Sequence, residues 1–187
     1  MPKSRSSIIH QALLKPMGFK KKAPDISERD MGELVHCFRV KSPSVPVWGD
    51  TEIDALWRFC ITECARKLTY QGSLPTVYVD VDDLDEEAAR EVLVEATRGL
   101  LEKLDTLDSV EKILAAYERG DLTKEQAFGP DSKWQTFHLG CCLLHVGRKD
   151  EARLHLEEIV ARGGHRRSFE RRRKKIARKL IAENFPE

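Results

Sequence analysis

Residues 76–104 read TVYVDVDDLDEEAAREVLVEATRGLLEKL, and the spacing of the hydrophobic residues changes within this stretch. From Thr76 to Asp82, valines alternate with a tyrosine and two aspartates, which predicts a β-strand. Beyond Asp83 the apolar residues recur every three or four positions, which predicts an α-helix with Asp83 as its N-cap and Glu86 at the third helical position. The stretch therefore marks the point where strands give way to helices.

The N-terminal half carries further strand patterns. Residues 34–41 alternate, with phenylalanine and valine on one face, and this predicts a strand. Residues 51–69 are ambiguous. Thr51 with Asp54 resembles a capping box before helically spaced apolar residues, whereas Trp57–Cys64 is rich in strand formers.

Two shorter features are expected near the N-terminus. A short helix over Ile8–Leu13 is predicted, with Ser6 or Ser7 as its cap and a proline and a glycine after it. The lysines Lys20–Lys22 are interpreted as a solvated hinge between this helix and the strands.

Helices dominate the second half of the chain. Strands followed by helices predict an α+β fold, with a small antiparallel sheet in the N-terminal half and a helical C-terminal half. The length favours a single domain over residues 1–187, with a helix plus antiparallel strands in 1–82 and a helical part with a basic C-terminal helix in 83–187. The later helices are predicted over Ser109–Arg119, residues 132–147, Lys149–Arg162 and Ser168–Asn184.

The composition is that of a globular protein. Of 187 residues, 41% are hydrophobic and 34% are charged, so the chain is long enough to bury a core without metals or disulfides. No apolar run reaches the roughly 18 residues of a membrane span, and the basic N-terminus lacks the apolar stretch of a signal peptide. Five cysteines, an odd number, favour a reduced setting. We therefore expect a cytoplasmic protein with no membrane partner.

Charge is balanced overall but not along the chain. The formal net charge is +1. The first 22 residues carry six bases and no acid, residues 80–125 carry fifteen acids against six bases, and residues 162–187 carry ten bases against three acids. Either the basic ends fold onto the acidic middle and neutralise it, or the basic tail is reserved for an external polyanion.

The basic tail is the most specific feature of the sequence. On a helix over 168–184 the apolar residues share one face, which Arg173 interrupts, so the helix is expected to dock on the body with its other bases pointing outward. A protein contact is favoured, and nucleic acid is the alternative, although no interleaved aromatic residues offer base stacking. The candidate partner-binding residues are Arg166, Arg167, Arg171, Arg172, Lys174, Lys175, Arg178 and Lys179.

Asp80 and Asp82 have the spacing of a possible metal site. Side chains two apart share a strand face, and two carboxylates there offer oxygen ligands to Mg²⁺. Acids are also expected where a strand leads into a helix N-terminus, because they complement the helix dipole. The structural interpretation is favoured.

A second cluster, His138, Cys141, Cys142 and His145, lies on one predicted helix. The two histidines are seven apart and share a face, so three of these side chains could hold zinc. Ligands of structural zinc sites usually come from separate segments, and a buried helix accepts cysteine as a small hydrophobe. The core interpretation is favoured, and we assign no catalytic, cofactor-binding or metal-ligating residue.

Residues 134–156 resemble one tetratricopeptide-type helical hairpin. Gly140, Gly147 and Ala152 fall at the small positions of that repeat, where two helices approach closely, and Trp134 lies two residues early for its tryptophan. No second copy is present, and solenoids need about three units, so a repeat array is not expected.

A larger resemblance extends over nearly the whole chain. Its segments, in order, are Leu14–Lys20, Val40–Ser42, Asp80–Leu84, Leu100–Leu107, Val110–Leu114 and Gly147–Ala152. In these segments the chain resembles the bacterial family catalogued as domain of unknown function 4304, and it departs from that family at Ile26–Arg29 and over 43–70. The resemblance implies a bacterial setting and a strand over Arg58–Arg66. It implies no activity, but some members look like neighbours of toxin systems, which hints at an immunity role.

These observations favour a non-enzymatic bacterial protein that binds another protein, with immunity as the narrower hypothesis. The alternative is a nucleic-acid-associated protein that uses the basic C-terminal helix. A metal-dependent enzyme at Asp80 and Asp82 is the third hypothesis, and no cofactor is expected.

Overall fold

The strands lie in the N-terminal half of the chain. The computed structural model describes residues 4–41, 50–61, 71–162 and 168–186. Within these ranges the strands are β1 (Lys20–Ala23), β2 (Ile26–Asp30), β3 (Leu34–Lys41), β4 (Thr51–Phe59), β5 (Gly72–Ser73) and β6 (Val77–Val79).

One short helix precedes the strands, and the others follow them. The first, α1 (Arg5–Ile9), continues as a π-helical turn over His10–Leu14. The later helices are α2 (Glu86–Asp105), α3 (Val110–Glu118), α4 (Lys124–Phe128), α5 (Ser132–His145), α6 (Lys149–Ala161) and α7 (Ser168–Asn184). This order confirms the predicted α+β fold, with an antiparallel sheet first and a helical C-terminal half.

The strands form one sheet in the order β1-β2-β3-β4-β5, and β6 pairs with β4 beside this path. In the register of β2 and β3, Glu28 lies opposite Cys37. In the register of β4 and β6, Thr51 lies opposite Val79. Strands β3 and β4 are buried along most of their length, so they form the centre of the sheet.

Contacts between Cα atoms divide the chain into two compact units. The first unit comprises residues 1–58 and 73–108, and in it α2 packs against α1 and β6. The second comprises residues 59–72 and 109–187, and in it α5 packs against α3, α4 and α6, while α6 also packs against α7. Helix α2 therefore belongs with the strands rather than with the later helices.

Two helix caps differ from the predictions. Ser4, rather than Ser6 or Ser7, caps α1 with its hydroxyl. Asp85, rather than Asp83, caps α2, and its carboxylate accepts a hydrogen bond from a backbone N–H of the first turn. Both segments contain several residues whose side chains could cap the helix. Which of these residues does so depends on where the backbone enters the helix.

The predicted hinge at Lys20–Lys22 is wrong, because these lysines form strand β1. Their backbone pairs with β2, with Lys20 opposite Glu28 and Lys21 opposite Ser27. Three exposed lysines are suited to an edge strand, since charge there opposes pairing with another chain. The sequence pattern did not predict β2, because its serine and charged residues give no alternation of apolar and polar positions.

Residues 51–59 are a strand, and the capping box suggested there does not form. Strand β4 is buried at nearly every position, so it is apolar without alternation and its hydrophobic residues also satisfy a helical spacing. Thr51 instead accepts a hydrogen bond from Arg5, and Asp54 accepts one from Arg39. The remainder of the ambiguous stretch, at 62–70, lies outside the described residues.

The hairpin of α5 and α6 has the close approach that the small residues predict. A Cβ atom at Gly140 would lie 3.2 Å from the Cβ of His155 and 3.3 Å from Leu156. Ala152 is fully buried. Gly147 has a different role, because it occupies the turn with φ of +81° and a Cβ there would meet nothing within 4 Å.

Helix α4 was not predicted, because its five residues are too few for a periodic signal, although Thr123 and Gln126 form a capping box at its start.

In the part of the chain that the structure describes, every helix falls short of the length and apolar character needed to cross a bilayer.

Candidate protein-binding surface on the C-terminal helix

Helix α7 docks through one face on α5 and α6. Its Ala177 and Leu180 are buried in a cluster with Phe137, Leu156 and Ile159. This confirms the predicted helix and its apolar face. Because the cluster fixes the rotation of α7 about its own axis, it also fixes which of the basic side chains face solvent.

Arg173 enters this docked face. It is only 3% exposed, and its guanidinium carbon lies 3.8 Å from the centre of the Trp134 ring. Trp134 in turn stacks on His138, with ring centres 5.4 Å apart and an interplanar angle of 21°. A guanidinium over an indole face is attracted by the ring quadrupole, and this attraction strengthens when the pair is removed from water. The arginine that interrupts the apolar face therefore contributes to docking.

His138 is a neutral core residue. Burial, opposed by its hydrogen bond with the Phe128 carbonyl and reinforced by the charge of Arg173, lowers the pKa of His138 to about 4. Its Nδ1 lies 2.8 Å from that carbonyl oxygen and therefore carries the proton that it donates. The ring is thus already engaged on one nitrogen and surrounded by aromatic side chains.

The outward side of α7 carries five exposed bases. We call Arg171, Lys175 and Arg178 the basic stripe, because their spacing of four and three residues places them on one line along the helix. Arg172 and Lys179 lie beside it. Among the described residues, Lys179 reaches Glu183 at 3.8 Å, and no ion pair involves the basic stripe.

Three of the predicted partner-binding residues are placed differently or not described. Lys174 is half-buried and its Nζ donates to the carbonyl oxygen of Arg162 at 3.2 Å, so it does not point outward with the others. Arg166 and Arg167 lie outside the described residues.

An apolar groove lies between the C-terminal parts of α6 and α7, at the end of the basic stripe. Its volume is about 580 Å³. Arg178 belongs both to the stripe and to the groove wall, and Ala161 and Ala182 on the two helices are exposed. The lining residues are Glu157, Val160, Ala161, Arg178, Ile181, Ala182, Phe185 and Pro186.

The rim of the groove is charged on its α6 side as well. Arg153 pairs with Glu157 at 2.7 Å, and its guanidinium carbon lies 5.7 Å from the centre of the Phe185 ring. Leu154, which is 69% exposed, lies three residues before Glu157 on the same side of α6 and extends the apolar surface. The groove is therefore mainly apolar, with the basic stripe along its α7 side and the Arg153–Glu157 ion pair on its α6 side.

The structure does not bring Asp80 and Asp82 together as a pair of free ligands. The carboxylate of Asp80 accepts a hydrogen bond from the backbone N–H of Asp82 at 3.1 Å. The carboxylate of Asp82 pairs with Arg5 at 3.0 Å, and Arg5 also donates to the hydroxyl of Thr51 at 2.8 Å. These contacts tie α1 to the sheet, in line with the structural interpretation.

The histidines and cysteines of α5 do not converge on one point either. His138 is buried whereas His145 is exposed, Cys142 is buried and not in a disulfide, and Cys141 is disulfide-bonded. A disulfide-bonded sulfur cannot act as a thiolate ligand. Within the described residues, no group of three histidine, cysteine or acidic side chains is arranged to hold a metal ion.

Other polar clusters lie in the first unit. Lys21 donates to the hydroxyl of Ser6 at 2.5 Å, and His10 lies 3.0 Å from the hydroxyl of Ser27. Burial lowers the pKa of both Lys21 and His10. Both serines are buried, so these pairs join α1 and its π-helical turn to β1 and β2 and do not present an accessible nucleophile.

Sequence reasoning identified the basic helix but missed the groove beside it. The sequence signal is incomplete, since Ile181 lies on the apolar face that predicts docking and Phe185 lies beyond the predicted helix. Comparison of the chain with family models, with curated proteins and with solved structures gave no match. The resemblance to the domain of unknown function 4304 family therefore stays a prediction, and the function is argued from the surface itself.

Proposed function

We propose that this protein is a non-enzymatic binding module that recognises an acidic surface of another protein through α7. The observation that carries the proposal is the basic stripe, Arg171, Lys175 and Arg178, on a docked helix and leading into an apolar groove. No acid among the described residues pairs with these three bases. They would therefore attract an acidic partner over a distance and orient it on binding.

The groove favours a protein over a nucleic acid as the partner. A nucleic-acid backbone offers phosphates and sugars, so it would engage the stripe but leave Val160, Ile181 and Phe185 uncovered. Protein interfaces combine a buried apolar centre with a polar rim, and this is the arrangement of groove and stripe. An immunity-type role remains the narrower form of the proposal and rests on the family resemblance alone.

The test compares charge reversal on the stripe with an equal reversal elsewhere. The variant is Arg171→Glu with Lys175→Glu, and the control is Lys103→Glu with Lys149→Glu, which are exposed residues on other helices. Parent, variant and control are used to capture proteins from a nuclease-treated lysate of the source organism, and each captured protein is purified and titrated against all three.

A purified protein that binds parent and control but binds the stripe variant at least about tenfold more weakly supports the proposal. Titration with random duplex and single-stranded oligonucleotides at low salt tests the alternative. Oligonucleotide binding that falls linearly with the logarithm of salt, and that the stripe variant alone abolishes, would replace the proposal with nucleic-acid binding. Equal binding of every probe by the variant and the control would refute both.

A further inference from the structure

The groove between α6 and α7 has properties that define its ligand more closely than the basic stripe does. Val160, Ile181 and Phe185 are only partly buried although they pack on the core cluster, so each keeps an apolar surface toward the groove. Ala161 on α6 and Ala182 on α7 line the groove as small exposed residues. Small residues on two neighbouring helices leave room for a third element to approach between them.

The dimensions favour a helix as the occupant. The α7 wall of the groove, from Arg178 to Phe185, extends over about 10 Å, which matches roughly two turns of a partner helix. A helix that enters a groove between two helices presents side chains at positions i, i+3, i+4 and i+7 to the apolar floor. Exposed Leu154 lengthens that floor along α6.

Charge defines the rest of the occupant. The basic stripe borders the groove at Arg178. The one acid of the lining, Glu157, is already paired with Arg153. A partner helix with carboxylates beside its apolar side chains would therefore meet the cations of the basic stripe along the α7 rim.

We propose that the groove between α6 and α7 binds an acidic amphipathic helix of a partner protein. The apolar side chains of that helix would cover Val160, Ile181 and Phe185, and its carboxylates would face the basic stripe. This proposal rests on the proposed function and adds to it the chemical class of the ligand.

Three synthetic helical peptides of equal length test the proposal by fluorescence anisotropy. The first carries leucines at i, i+3, i+4 and i+7 with flanking glutamates; the second replaces the leucines with glutamines; the third replaces the glutamates with lysines. We expect the first peptide to bind, and the second and third to bind at least about tenfold more weakly. Equal binding of the first and second peptides would contradict the proposal that the groove binds apolar side chains. Equal binding of the first and third would contradict the proposed charge complementarity.

Variants of the protein separate the groove from the stripe. Ala182→Trp fills the groove without changing the charge, and because Ala182 is exposed the substitution should leave the fold intact. Val92→Trp on α2, at a side chain 42% exposed, is the matched control. We expect Ala182→Trp, but not Val92→Trp, to weaken binding of the leucine–glutamate peptide at least about tenfold while binding of polyglutamate to the stripe is unchanged.

Each failure has a distinct outcome. Loss of peptide binding in the stripe variant but not in Ala182→Trp would overturn the groove proposal and leave the proposed function standing. Polyglutamate binding that the stripe variant retains would count against the proposed function itself. If saturating peptide leaves the methyl resonances of Val160 and Ile181 unshifted, the groove is not the binding site and the proposal is overturned. A concentration-dependent dimer of this chain that Ala182→Trp abolishes would also overturn it, because the groove would then bind a second copy of this chain.

Discussion

The guanidinium carbon of Arg173 lies 3.8 Å from the centre of the Trp134 ring, inside the interface through which α7 docks on α5. Arg173 is thus buried while Arg171, Arg172 and Lys175 beside it are exposed. Arg173 therefore lies inside the docking interface, whereas its three basic neighbours face solvent. The electrostatics of this interface also lead to a prediction about pH.

Stability should fall as the pH falls from about 6.5 to about 4, and His138 should account for much of that fall. The pKa of His138 is about 4 in the folded protein against 6.5 for an unperturbed histidine. In this window the unfolded chain takes up a proton that the folded protein does not, so folding loses up to about 3 kcal/mol. Urea unfolding followed by circular dichroism measures the loss, and His138→Asn should flatten the pH dependence. An unchanged slope in that variant would assign the effect to other groups.

Arg173→Met should raise the pKa of His138 in the folded protein. The positive charge of Arg173 is one cause of the lowered pKa, and methionine keeps an apolar contact with Trp134 without that charge. Proton NMR of the His138 ring follows the titration. Arg172→Met, on the exposed side of the same helix, should leave this pKa where it is in the parent.

Leu180→Asp should destabilise the second unit by several kcal/mol or release α7 from it. Leu180 is 7% exposed and lies in the cluster with Phe137 and Ala177, so the new carboxylate would be buried without a partner. Lys175→Asp on the exposed side of α7 is the control and should change the free energy of unfolding by less than about 0.5 kcal/mol. Equal stability of the two variants would show that α7 is not docked.

Two glycines in helices should respond oppositely to valine. Gly140→Val should cost about 1–3 kcal/mol, because a Cβ there already lies 3.2 Å from His155 and 3.3 Å from Leu156 and the helices α5 and α6 must separate. Gly99→Val on α2 meets nothing within 4 Å and should be neutral or slightly stabilising, since glycine is a poor helix former. Thermal unfolding of both variants checks the contrast, and a Gly140→Val protein as stable as the parent would contradict the close approach.

Asp54→Asn should destabilise the sheet at neutral pH and reduce the part of the stability that is lost in acid. Burial alone would raise the pKa of Asp54, but hydrogen bonds from Thr76 at 2.7 Å and Arg39 at 2.9 Å outweigh it, and the pKa lies below its ordinary value. The ionised form therefore contributes stability above the ordinary carboxyl pKa, and that stability is lost as the pH falls through the folded pKa. We expect a loss of about 1–3 kcal/mol at pH 7.

The acid dependence supplies the check on Asp54→Asn. The difference in the free energy of unfolding between parent and variant should shrink as the pH is lowered below the ordinary carboxyl pKa, because the unfolded chain then takes up a proton that the folded Asp54 carboxylate resists. Glu52→Gln, at the more exposed partner of Lys41, is the matched control and should cost little. A difference that persists unchanged into acid would contradict the role given to the Asp54 charge.

Much of the fold could be predicted from the sequence because periodicity reports which faces are buried. The alternation at 34–41 and the helical spacing after Asp83 predicted β3 and α2. Strand β4 was ambiguous for a physical reason, since burial on both faces removes the alternation that identifies a strand. The capping residues were ambiguous because neighbouring positions offer equivalent hydrogen-bond acceptors.

By itself, the sequence determined the class of fold, the limits of the long helices and the concentration of positive charge at the C-terminal end. These depend on local preferences and on hydrophobic period. Only the tertiary structure decided that Arg173 is buried on Trp134, that Lys174 is half-buried at a carbonyl of Arg162, and that α6 and α7 leave a groove beside Arg178. The reason is that these features depend on the rotation of α7 about its axis and on its packing against α5 and α6, which arise from contacts between residues distant in sequence.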